Sequence, residues 1–179
     1  MTQLHGIGAR FGITIFLNTL FGVIFYNVAG TDNAVQSNLQ SHFGASIMIL
    51  LSTMFGTAQP ALFSIPVERP IFLREYSTNH YSVLSYAASR LVVEAFITFL
   101  QVLVACVITY FLIDFQSHFI IFFMITYTLG MASTAVAVLL GCAVDDAKLA
   151  QEMLPILFVP QMLFAGFFVN ISLIPIWLQ

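Results

Sequence analysis

Asp145 and Asp146, side by side in a short polar stretch, are the nearest this chain comes to a pair of carboxylates placed for chemistry. Two such groups can hold a divalent cation, but magnesium sites add further carboxylates or substrate phosphates. Neither accompanies this pair, so its expected role is to cap the start of a helix, where negative charge suits the exposed N–H groups. His5, His42, His80 and His118 are scattered, with no i, i+4 pair of the kind that binds a metal on a helix. No G-x-S-x-G nucleophile pattern occurs. Cys106 and Cys142 both lie inside apolar runs and read as small buried hydrophobes. An enzyme embedded in a membrane would need clusters of buried histidine or carboxylate, and the sequence has none.

Charge is sparse and unevenly distributed. Glu68-Arg69-Pro70-Ile71-Phe72-Leu73-Arg74-Glu75-Tyr76 carries four charges in a chain with five basic and eight acidic residues. Long apolar runs flank this island on both sides. Charge is costly in hydrocarbon, so residues 68–76 belong in water or in the interfacial layer. They are the natural meeting point for something soluble.

The elements that must position these residues follow from composition. Apolar residues make up 60% of the 179, charged residues 7%, and mean hydropathy is +0.97. A soluble domain is roughly 45–50% apolar and about 25% charged. The chain is therefore expected in a membrane, and five Lys plus Arg cannot form the basic stripe that nucleic acid requires. No signal-peptide cleavage site follows the apolar run from Phe11, so that run is expected to remain as an anchor.

A helix needs about 20 apolar residues to cross the hydrocarbon. Five stretches qualify or nearly do: residues 11–29, 43–67, 91–113, 119–144 and 153–169. They are too long and too uniformly apolar for barrel strands, which favours an all-α integral membrane protein with five transmembrane helices. The second span is expected to break at Gln59-Pro60 and to end at Pro66, leaving residues 68–90 as a loop. The Asp114–His118 turn should join spans three and four tightly. Alternating crossings put Arg10, Arg69, Arg74, Arg90 and Lys148 on one side, which the positive-inside rule makes cytoplasmic, together with the N-terminus. Asn170-Ile171-Ser172, a glycosylation tripeptide, then lies outside.

Within the spans, Glu94 stands one turn into the third. Arg90, four residues earlier, is its expected ion-pair partner. Asn18, Thr53, Thr57, Gln59, Gln101, Thr126, Thr128 and Gln161 are expected to bond between helices or to line a cavity. Ser133, Ala137 and Gly141 form a small-residue stripe that suits close packing within the protomer. Phe55, Phe158, Met162, Phe164, Phe167 and Phe168 would make a soft apolar pocket.

The island, followed by Tyr81, Tyr86 and Arg90–Glu94, resembles the segment between the second and third spans of G-subfamily ABC transporters, the White/pleiotropic-drug-resistance group. Gly166-Phe167-Phe168-Val169-Asn170, with Pro175 and Trp177, is similar to the end of that family's fifth span and its external re-entrant helix. The resemblance covers essentially the whole chain. It implies an ABC-2 type membrane domain of six spans, of which five are found here, in a transporter whose separate nucleotide-binding domain binds ATP and magnesium. It implies that Glu68, Arg69, Arg74 and Glu75 couple to that ATPase. Phe55, Phe158, Val159 and Met162 would line the substrate cavity, and Phe167 and Phe168 would form a valve above it.

The implied partners are the ATPase domain, a second membrane domain as homodimer or heterodimer, membrane lipid, and a hydrophobic or lipid-like substrate, at the plasma membrane rather than an organelle. No G-x-x-x-x-G-K-[ST] occurs, so the chain is expected to hold no cofactor and to be no enzyme by itself, as a fragment of a transporter. The alternative is a non-transporting membrane scaffold or assembly subunit derived from a truncated transporter.

Overall fold

Lipid offers no partner to a backbone N–H or C=O, and these apolar runs satisfy their own as helices. In a computed structural model, residues 2–26, 36–77, 82–115, 118–144 and 146–164 are described. They form five helices: α1 (Thr2–Ile24), α2 (Gln36–Ser77), α3 (Val83–Ile113), α4 (Phe119–Ala143) and α5 (Ala147–Phe164). Among them Ile7–Ile24, Phe43–Pro66, Val83–Ile113 and Phe119–Ala143 are long and apolar enough to cross a membrane. The expected fifth span begins inside α5 and continues into residues 165–169, outside those described.

Paired contacts fix the helix directions. Arg10 meets Glu94, and Gly22 faces Leu112, so α1 and α3 run parallel. Arg90 reaches Glu68 while Gln101 reaches Gly56, so α2 runs against α3. Thr57 bonds to the carbonyl of Gly130 and Ile65 packs on Gly141, so α4 runs with α2. The start of α1, the end of α2, the start of α3 and the start of α5 therefore share one end of the bundle. All five basic residues lie there.

The helix ends follow local chemistry. Ser82 caps α3 by accepting the N–H of Ser85 at 3.3 Å. Asp114 ends α3 with φ 60, a left-handed conformation that Asp tolerates better than most residues, and its N–H returns to the carbonyl of Tyr110. α3 ends at Ile113 and α4 begins at Phe119; residues 116 and 117 of the expected turn lie outside the described residues. Asp146 accepts the N–H of Lys148 at 3.0 Å, which is the expected cap on α5; Asp145 lies outside the described residues.

The second helix departs from expectation. It does not break at Gln59-Pro60 or stop at Pro66, but runs 42 residues through Pro60, Pro66 and Pro70. Residues 68–77 are thus helix rather than loop. Each proline removes one N–H and frees the carbonyl four residues earlier. The carbonyl freed by Pro60 is that of Gly56, and Gln101 Nε2 donates to it at 3.0 Å from α3. A neighbouring helix therefore repairs the break.

The small-residue stripe on α4 packs within the chain. Ser133, Ala137 and Gly141 are all buried, and Ala137 and Gly141 lie against α2. A Cβ on Gly141 would stand 3.2 Å from Ile65 Cβ and 3.4 Å from the carbonyl oxygen of Leu62, the group that Pro66 leaves without its helical donor. Most midspan hydroxyls, including Thr14, Thr53, Thr109, Thr126 and Ser133, donate to the carbonyl four residues back in their own helix.

The tie between α1 and α3 is ionic. Arg10 is 8% exposed and Glu94 5%, and they meet at 2.6 Å. Arg10 Nε also donates to Gln101 Oε1 at 2.5 Å, and Gln101 Nε2 donates to Thr14 Oγ1 at 2.9 Å. The expected Arg90–Glu94 pair is not formed. Glu94 is turned into the α1 interface, where a buried carboxylate needs a shielded cation, and Arg90 is turned toward α2.

Two outcomes follow for thermal unfolding in lipid or detergent. Gly141→Val should cost about 1–3 kcal/mol by overpacking, whereas Gly12→Ala, with nothing within 4 Å of its Cβ, should gain about 0.5–1 kcal/mol. Arg10→Met should cost about 3–5 kcal/mol by stranding Glu94, and adding Glu94→Leu should recover most of it. A double variant no more stable than Arg10→Met would show that the stranded charge is not the source of the loss.

Candidate functional site

The charge island begins as a clamp between two helices. Because α2 continues past Pro66, Glu68 comes to lie beside the first turns of α3. Its two oxygens accept from Arg90 Nη1 at 2.7 Å and from the Tyr86 hydroxyl at 3.1 Å. Arg90 Nη2 donates to Ser64 Oγ, so one guanidinium holds two successive turns of α2. One turn beyond Glu68, the ring of Phe72 lies 4.5 Å from that of Tyr86. The Arg90 and Glu68 side chains are about one-fifth exposed, at 22% and 20%, so their ion pair is partly shielded from water.

The four residues grouped by sequence thus separate by position. Glu68 is turned inward and fixed to α3. Arg69 is half-buried beside it, while Arg74 and Glu75 are exposed on the last turns of α2. Ile71 and Leu73 are also exposed there, at 58% and 55%. This end of α2 offers a solvent-facing surface of mixed charge and apolar side chains on a helix anchored at its root.

Of the expected cavity residues, three come together. Phe55 and Phe158 meet edge to face with ring centroids 5.4 Å apart, and Met162 packs against the same cluster of Met54, Ala58, Leu62, Leu140 and Leu154. Phe158 is fully buried in that core. Val159, the next residue on α5, faces away and is exposed. Phe167 and Phe168 lie outside the described residues, as do Asn170 and its neighbours.

Open space is found elsewhere among the described residues. A cleft of about 70 Å³ sits between α1, α2 and α3, lined by Arg10, Thr14, Asn18, Thr53, Gln59 and Gln101 among others. Asn18 is 2% exposed. Its amide nitrogen donates to the carbonyl of Thr14 at 2.8 Å, which assigns the other atom as oxygen, and that oxygen has no hydrogen-bond partner among the described residues. Leaving such an acceptor bare costs about 1–3 kcal/mol. Sequence reasoning singled out Asn18 and Gln101 but missed Arg10. The signal was present: Arg10 and Glu94 stand at similar depths at the starts of two spans that cross in the same direction.

The comparisons with known proteins agree with this architecture. The ABC-2 type transporter family matches residues 3–179. ABC transporter G family member 34 of Arabidopsis thaliana is 30% identical over 94% of this chain, which covers 12% of that protein. ABC transporter G family member 52 of Oryza sativa subsp. japonica is 31% identical over 96% of the chain, again 12% of its own length. The broad substrate specificity ATP-binding cassette transporter ABCG2 of Bos taurus is 28% identical over 96% of the chain and 26% of its own. The chain therefore spans about an eighth to a quarter of the length of these curated relatives. With its parallel and antiparallel apolar helices, its charged end and this match along almost its whole length, the chain is an integral membrane protein of the ABC-2 type transporter family, similar to G-family members.

Proposed function

We propose that this chain forms the translocation path of an ATP-driven transporter for hydrophobic or lipid-like molecules, and that the end of α2 receives the motion of a separate ATPase domain. One observation carries the reading. The charged segment 68–77 is the rigid continuation of a membrane-crossing helix, clamped to α3 through Glu68, Tyr86 and Arg90. A push on Arg74 or Glu75 is delivered along α2 itself and, through the clamp, to α3. A flexible loop would absorb the same push.

The path is closed in the arrangement described. Phe55 and Phe158 fill the space between α2 and α5, and an edge-to-face pair contributes only about 0.5–1.5 kcal/mol beyond its burial. Rotation or shear of α2 against α5 would part them at modest cost and expose Met162 and its neighbours to an apolar passenger. ATP and magnesium act in the partner domain; this chain supplies no catalytic group. A second membrane domain, from a like or unlike chain, completes the enclosure. The basic end of the bundle faces the cytoplasm, at the plasma membrane, in line with the positive-inside rule.

The test is reconstitution of the chain with its ATPase domain in lipid vesicles, measuring molecules moved per ATP hydrolysed. Exchanging the charges by Arg74→Glu with Glu75→Arg should lower that ratio several-fold while the chain still folds. Glu68→Gln should do so more weakly, since the neutral amide still accepts from Arg90. Transport and hydrolysis that remain tightly coupled in the charge-exchanged protein would refute the role given to this helix end.

A further inference from the structure

We infer that the cleft between α1, α2 and α3 is a binding site for hydroxyl groups within the membrane. The argument starts from α1. Arg10, Thr14 and Asn18 recur at four-residue spacing and so form a polar stripe on one face of the helix, roughly 12 Å long at 1.5 Å per residue. All three line the cleft, together with Thr53 and Gln59 of α2 and Gln101 of α3.

The occupant's chemistry follows from what these groups lack and what they already have. The side-chain oxygen of Asn18 needs a donor. A cation could engage that oxygen but would face the Arg10 guanidinium lining the same cleft. An anion gains little, because Glu94 already neutralises Arg10 at 2.6 Å. The lining is therefore close to electrically neutral. It favours a small uncharged group that gives one hydrogen bond and accepts another, which is a hydroxyl. Two sources share that chemistry: water, and the hydroxyl end of an amphipathic lipid. The cleft volume, about 70 Å³, is well above the roughly 10–15 Å³ that one water needs. Gln59 and Ile13 are exposed beside it, so the cleft also has a side from which a lipid hydroxyl can enter. The site is distinct from the aromatic cluster of Phe55 and Phe158, and the inference holds whether or not an ATPase drives the chain.

The test is water-edited solid-state nuclear magnetic resonance on the full chain in bilayers, with asparagine, threonine and phenylalanine labelled and the Phe158 ring assigned by its loss in Phe158→Leu. The Asn18 carbonyl is assigned by its through-space contact with Thr14, and its loss in Asn18→Leu is a second check. In phosphatidylcholine alone, where water is the only hydroxyl, magnetisation from water should reach the Asn18 carbonyl several-fold faster than it reaches the Phe158 ring in the dry core. If it does so only weakly there, but the Asn18 carbonyl shifts and contacts the sterol when cholesterol is added, the hydroxyl comes from lipid. Either result supports the site. An Asn18 carbonyl as slow as Phe158 in the first bilayer, and unmoved in the second, overturns it.

Discussion

A charge inside a membrane protein is tolerable only where an opposite charge and hydrogen bonds meet it, and the Arg10–Glu94 pair is organised by that constraint. The pair is almost fully enclosed, and it fixes how α1 lies along α3. Sliding α1 by one turn would part the two charges in a region that cannot solvate them. Gln101 extends the constraint to a third helix, since it contacts Arg10 and Thr14 on α1 and the carbonyl of Gly56 on α2. Apolar packing has no comparable register, because lipid tails compete for the same surfaces and one leucine resembles another to them. The polar seam therefore specifies the arrangement, and close contacts such as Gly22 on Leu112 depend on it.

The same seam explains how α2 survives its prolines. Three of them in one helix would be expected to interrupt it, since each removes a hydrogen bond and crowds the preceding turn. Here the carbonyl freed by Pro60 is taken by Gln101, and the one freed by Pro66 lies against Gly141, where the absence of a side chain lets α4 approach. The helix then reaches Ser77, and Glu68 fastens it to α3. The membrane span and its charged extension are one continuous helix, with a neighbouring helix supplying the hydrogen bond that Pro60 removes.

Much of this was legible in sequence and some of it was not, for identifiable reasons. The apolar runs announced the spans because hydrocarbon thickness sets their length. The end of α3 at Asp114, the Asp146 cap and the Ser133–Ala137–Gly141 stripe are local patterns with local physics. The partners of Arg90 and Glu94 were misread because both residues have a plausible mate four positions away on their own helix. Burial of Glu94 at the α1 interface overrides that local choice, and burial is a property of the packed bundle. The proline-rich helix was misread for the same reason: a break is repaired by a glutamine 42 residues past Gln59, which no local pattern reveals. Phe158 reads equally well as a cavity lining or a core residue, and its packing against Phe55 in the cluster with Leu154 is a property of the folded bundle that no local pattern carries.

These features give the bundle two unlike ends and a graded interior. At one end stand all five basic residues, the Glu68 clamp and the exposed final turns of α2. From there a polar stripe descends along α1 from the charged Arg10 to the uncharged Thr14 and Asn18. Beyond it the contacts are aromatic and aliphatic, with Tyr110 on Phe119, Phe115 on Phe122, and Ile49 beside Ile113. The gradient has a mechanical consequence. Ionic and hydrogen-bonded contacts hold one geometry and lose much when displaced, whereas aromatic and aliphatic contacts slide and repack with small changes in energy. Under the proposed coupling, motion imposed at the charged end would be carried by these stiff connections and taken up where α2 meets α5 through the aromatic contact of Phe55 and Phe158.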